Sequence, residues 1–294
     1  MIARLFAPGW AGGWAASRVA FATVMALSLA VKAPNIADAY ASADMVFDIP
    51  PFHMSRHIVL TPPTAWAVWT LGMLGLAGVA RGGRTFRPGL FLWFLANLTL
   101  LASEALNIKA HDRLSAWIAL ALLVSPNGEN DLCRKARSPA PRWFLMLIFC
   151  GIYGSTGWLK ILKEPGWWSG RVLAYHLVDQ EFAGGTLAAW VSGQRWLCMP
   201  MSWMTLVFEA SFPLLIWFRR TNPWLLALGA TMHVGIGLLM QVGKFNMLAL
   251  CAYPALLHPS VAALLWRRIS AAMPARTVHA PPPGDATPQS PAVS

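Results

Sequence analysis

Residues 143–170 read W-F-L-M-L-I-F-C-G-I-Y-G-S-T-G-W-L-K-I-L-K-E-P-G-W-W-S-G. From Trp143 to Leu162 the run is apolar and about 20 residues long, enough to cross the hydrocarbon core of a bilayer as one helix. It closes on Lys160 and Lys163 and then on the tryptophan pair Trp167-Trp168, residue types that collect where a helix leaves the membrane. Lys160 is therefore either an anchor reaching for the interface or a group with a task.

The rest of the chain agrees with a membrane reading. Hydrophobic residues make up 56% of the 294 positions and charged residues only 12%, against about 25% charged in a soluble domain. Apolar runs fall at 14–31, 63–80, 90–108, 113–124, 143–162, 201–218 and 223–240, and an eighth starts near Phe245 and is broken around Pro254 and His258-Pro259. The expectation is an all-α polytopic bundle of about eight transmembrane helices. The first 33 residues mimic a signal peptide, but Lys32 in the small-residue box argues for an uncleaved first helix. Residues 32–61 read as a polar loop. Residues 163–200 are too polar to span and too apolar for a free loop, so they are expected to lie in the interface or fold back into the protein. Residues 1–270 form one transmembrane domain, and the Pro/Ala/Ser-rich residues 271–294 read as a disordered cytoplasmic tail.

The net charge of +11 needs no nucleic acid. The basic residues sit in short loops rather than on one face, so a nucleic-acid partner is not expected. Arg4, the 81–87 and 134–142 clusters, Arg219-Arg220 and Arg267-Arg268 all fall on one side of an eight-span topology, the cytoplasmic side by the positive-inside rule. Both termini are then cytoplasmic, and His111, Lys160, residues 163–200 and Lys244 face the other side. A bacterial inner membrane is the expected location. Cys133 falls on the cytoplasmic side, Cys150 and Cys251 fall in spans and Cys198 alone falls on the outer side, so no external disulfide is expected.

Ionisable groups inside a bilayer cost about 2.5 kcal/mol or more near its centre and need a partner or a function. Arg18, Glu104, Lys160, Glu209 and His233 are such groups. Tyr153, Gly157 and Lys160 share one helical face, and Gly151, Gly154 and Gly157 invite a neighbouring helix against it. A lysine on a packed face is partly desolvated, which favours a neutral amine able to take a proton. Glu209 and His233 lie on consecutive helices, so a hydrogen bond between them is feasible. The bland reading of each is a polar pair that fixes packing or a side chain that snorkels. His53 and His57, with Asp48 nearby, have the spacing of two metal ligands but lack a third, and no metal is expected. No phosphate loop, nucleophile elbow or catalytic carboxylate pair is present.

Several of these residues resemble one known group in order and spacing. Tyr153, Gly157, Lys160 and Ile161 followed by Trp167 and Gly170 resemble the Y-x-x-x-G-x-x-K-[IL]…W-x-x-G signature of the vitamin K-dependent gamma-carboxylase transmembrane region, the horizontally transferred transmembrane (HTTM) domain. His111 to Leu114 is similar to that family's N-H-x-x-L, with Ala110 in place of asparagine. Glu209, His233-Val-Gly-Ile and Phe245 resemble a third match, and Arg18 a fourth. The resemblance implies a lysine base at Lys160 that deprotonates a vitamin K-type hydroquinone, assisted by His111, on the face away from the cytoplasm. It further implies Tyr153, Trp167, Gly170, Glu209 and His233 around a substrate or quinone pocket, with Arg18 and Glu104 as structural intramembrane charges. The large extramembrane domain of the carboxylase has no counterpart in a tail of about twenty residues, so carboxylation of a glutamate substrate is not implied. Two function classes follow: a quinol- or lipid-linked modifying enzyme, and a non-catalytic membrane protein that binds a quinone, a lipid or a small peptide, as in peptide-toxin maturation.

Overall fold

The computed structural model describes residues 11–41, 60–103, 109–125 and 138–272. Twelve helices occur there: α1 Ala11–Lys32, α2 Ile36–Ala41, α3 Pro62–Arg81, α4 Phe86–Ser103, α5 Ala110–Leu123, α6 Ala140–Lys163, α7 Arg171–His176, α8 Thr186–Ser192, α9 Arg195–Leu215, α10 Asn222–Leu239, α11 Phe245–Leu256 and α12 Pro259–Ala272. Among the described residues there is no strand, only an isolated antiparallel bridge between Ala183 and Met240.

Glycine decides how closely the helices pair. α3 and α4 turn on Gly82 and Gly83, both at positive φ (83° and 63°), a conformation that costs other residues steric strain. Below the turn their backbones touch, since a Cβ on Gly75 would stand 2.6 Å from the Trp93 amide nitrogen. α6 and α9 run antiparallel by the same device. A Cβ on Gly157 would stand 2.6 Å from the Ala210 amide nitrogen and one on Gly154 would stand 2.8 Å from the Pro213 ring. A Cβ on Gly151 would meet no neighbouring element within 4 Å, so the expected three-glycine face is a two-glycine face.

One end of the bundle gathers the start of α1, α6 and α10 and the end of α9 and α11. There Arg142 donates to the Leu256 carbonyl (3.2 Å), Asn222 donates to the Ile216 and Leu256 carbonyls (3.1 Å each), and Ser17 accepts from the Ala255 amide (3.1 Å). Arg18 lies at this end against Gly82, its guanidinium 5.3 Å from the Phe86 ring centre. The other end carries Lys160 and the Asp112–Lys244 ion pair (2.8 Å).

Five segments are long and apolar enough to cross a membrane: 11–38, 62–81, 83–103, 140–163 and 222–239. The pair α11–α12, bent by 88°, makes a sixth if counted as one span. α5 falls short at 14 residues, and α9, with Arg195, Ser202, Thr205 and Glu209, is not among them despite its 21 residues.

Local departures from expectation have local causes. α9 starts at Arg195, inside the stretch assigned to the interfacial segment, because Pro200 is carried within the helix instead of preceding it. Pro254 likewise sits inside α11, and the break comes at Leu257-His258. Residues 33–41, expected as loop, form a 3-10 turn and α2, with Lys32 donating to the Tyr40 hydroxyl (2.6 Å). Cys198 is buried, and its thiol points at the Val191 carbonyl. Glu104, Cys133, the His53–His57 pair and the tail beyond Ala272 lie outside the described residues.

Candidate functional site

Lys160 emerges from the last turns of α6 directly opposite Glu209 of α9, because the Gly157 contact brings the two backbones together one turn earlier. Its ammonium donates to both carboxylate oxygens, at 2.7 and 2.8 Å. It also stands 4.5 Å from the centre of the Trp167 ring, a cation–π contact. The lysine side chain retains 20% of its exposure and the glutamate 10%. Trp167 is itself pinned by its indole N–H donating to Glu164 Oε2 (2.7 Å) and by Ser202 donating to its carbonyl.

The pair opens on a cavity of about 240 Å³ lined by residues of α6, α7, α9, α10 and α11. At its far end, Tyr153 lies seven residues before Lys160, about 10 Å along the helix axis. The Tyr153 hydroxyl is 2.6 Å from His233 Nε2 and 3.3 Å from the Tyr253 hydroxyl, and His233 Nδ1 is 3.1 Å from Asn246 Oδ1. An amide oxygen can only accept, so Nδ1 carries the ring proton and Nε2 accepts from Tyr153.

The cavity thus brings together Tyr153, Lys160, Trp167, Glu209 and His233. Glu209 does not bond His233, as their places on consecutive helices had suggested. It pairs with Lys160 across α6–α9, because His233 is already taken by Tyr153 and Asn246.

Three other site candidates fall outside the lining. Gly170 adopts a left-handed conformation (φ 74°) packed on the Cys198–Met199 backbone, where a Cβ would stand 2.7 Å from the Met199 amide. It shapes the turn into α7. His111 stands beside Gly243 and next to Asp112 (3.6 Å), at the same end of the bundle as Lys160. Asp112 in turn pairs with Lys244 (2.8 Å) and accepts from the Lys109 amide (3.1 Å). Arg18 belongs to the opposite end.

Thr156, His176, Thr205 and Asn246 line the cavity without having been singled out in the sequence. Asn246 carried one weak signal, a polar residue directly after Phe245 at the start of an apolar helix.

The family model of the HTTM domain matches residues 8–260, nearly the whole chain. The chain belongs to the HTTM-domain family. With its several span-capable helices it is an integral, multi-pass membrane protein associated with the lipid bilayer. No curated protein and no solved structure matches it.

Proposed function

We propose that this HTTM-domain protein binds a quinol-type ring in the cavity between α6, α9, α10 and α11 and moves a proton there through the Lys160–Glu209 pair. The observation that carries this reading is the ion pair itself, two nearly buried opposite charges aimed at a cavity whose other lining is mostly aromatic and apolar. Sites of that composition hold ring-bearing ligands, and about 240 Å³ is slightly below the ~300–1000 Å³ of drug-sized pockets, enough for a ring but not a long tail.

A reduced quinol ring, when bound, supplies an acidic O–H and reducing equivalents. The chain's part is to take up the proton. Lys160, bonded twice to Glu209, is an ammonium with no lone pair, so it does not act as a base alone. Either the carboxylate accepts the proton while the ammonium steadies the resulting anion, or Lys160 first passes a proton to Glu209 and then accepts at Nζ. Trp167 covers one side of the pair, its ring 4.5 Å from the Lys160 ammonium. His111, outside the lining, acts at most through the Gly243 turn.

The satisfied ion pair also favours a second reading, in which the cavity binds its ligand without chemistry. Turnover separates the two. The full chain, purified in mild detergent, is expected to carry a ring-bearing apolar molecule visible by mass spectrometry, and to speed the oxidation of added 1,4-naphthoquinol by dissolved oxygen, which takes up the two electrons and two protons as hydrogen peroxide, more than Lys160→Ala and Glu209→Gln do. Binding without a rate difference favours the second reading, and neither binding nor turnover overturns both.

We further propose that the chain crosses the membrane eight times, with α5 and α9 as short or polar crossings and the 164–194 segment in the outer interface. The cavity would then open away from the cytoplasm, and the transmembrane unit would run to about residue 270 ahead of a cytoplasmic tail. The exposed Trp168, Tyr175 and Trp190 support that placement, since such side chains favour the headgroup layer. A bacterial inner membrane fits the charge pattern.

A further inference from the structure

Two buried side-chain nitrogens without a hydrogen-bond partner belong to residues lining this cavity, Asn246 Nδ2 on α11 and His176 Nδ1 on α7. Buried polar groups are rarely left unpaired, and two around one cavity point to an occupant that pairs them. Asn246 is the sharper case, because only 2% of it is exposed. Its Oδ1 accepts from His233 Nδ1 (3.1 Å), and His233 Nε2 accepts from Tyr153 (2.6 Å). Those bonds hold the amide plane and leave Nδ2 without a partner on a residue that lines the cavity.

We propose that Asn246 is a ligand-binding residue, whose amide N–H donates to a neutral carbonyl or hydroxyl oxygen on the ring of the bound molecule, with His233 and Tyr153 as positioning residues behind it. The inference rests on the ring-ligand reading above and adds the group that orients the ring. The oxygen is neutral because the charges lining the cavity, Lys160 and Glu209, are spent on each other. Asn246 lies on α11 and Lys160 on α6, so the ligand is held between two helices, and one oxygen faces each.

The test uses 2-methyl-1,4-naphthoquinone labelled with 13C at both carbonyls, bound to the purified full chain. Calorimetry reads affinity, and infrared difference spectroscopy reads the carbonyl stretch. With wild type, one carbonyl band is expected below its position in empty micelles, as a donated hydrogen bond requires. Asn246→Asp keeps an oxygen for His233 and removes the donor; Asn246→Leu removes both. Each is expected to weaken binding about tenfold, the loss of one such bond, and to return the band to its free position. A wild-type band already at the free position overturns the proposal whether or not the variants fold, as do variants that keep both affinity and shift. Failure of the wild type to bind the probe overturns the ring-ligand reading, and this inference with it. That outcome is distinct, because a probe that binds without a shifted band leaves the ring reading standing.

Discussion

At the scale of single residues, the Lys160–Glu209 pair is the most consequential contact in the molecule. Removing one partner of a buried pair strands the other charge, whereas replacing both with neutral side chains of similar size is often neutral. Lys160→Met or Glu209→Gln alone should each cost about 3 kcal/mol, the low end for a buried pair because Lys160 keeps 20% of its exposure. The double variant should lose less than either single one. Unfolding midpoints in detergent, compared as a double-mutant cycle, check this; simply additive losses would mean the two charges do not interact. Lys160 itself was visible in the sequence as a lysine where an apolar helix leaves the membrane. Its partner was not, because His233 looked equally available to Glu209 until its ring was seen bonded to Tyr153 and Asn246.

At the scale of elements, the site depends on how closely α6 and α9 approach. A Cβ on Gly157 would stand 2.6 Å from the α9 backbone, so a valine there must push the helices apart and separate Lys160 from Glu209. Gly157→Val is expected to destabilise the protein by about 1–3 kcal/mol or more and to abolish naphthoquinone binding. Gly151→Val, about 1.7 turns earlier with open space around it, should leave both unchanged. Thermal melts and the same calorimetric titration decide, and equal effects at the two glycines would remove α6–α9 contact as the organising feature. The glycines at 151, 154 and 157 looked alike in sequence. Which two of them meet a neighbour depends on where α9 lies, and α9 is itself hard to read because Pro200 and Pro213 sit inside it.

At the scale of the whole molecule, the issue is how many times the chain crosses. At about 1.5 Å per residue the 14-residue α5 spans roughly 21 Å, short of a hydrocarbon core near 30 Å. Its start, at His111, lies with Gly243 and Lys244 at the Lys160 end, and its Trp117 packs on Phe144 near the start of α6 (6.0 Å), so it runs from one end of the bundle toward the other. Reporter fusions after Arg84 and after Gly170 are expected on opposite sides of the membrane. The same side for both would mean that α5 dips and returns, and the eight-crossing topology would fall.

The class of the protein was settled by the sequence alone. Hydropathy and charge are summed over windows of about twenty residues, so span-capable helices and the placing of basic residues in short loops can be read without knowing any contact. Lys160, Glu209 and His233 stood out for the same reason, as ionisable groups in apolar surroundings. Only the tertiary structure decided who pairs with whom. The Lys160–Glu209 bond joins positions 49 apart, and the Tyr153–His233 bond joins positions 80 apart. Asn246 became a candidate only once its oxygen was committed and its nitrogen was not. Those outcomes depend on backbones meeting at Gly157 and on one histidine having two ring nitrogens to share, which no local pattern in a chain encodes.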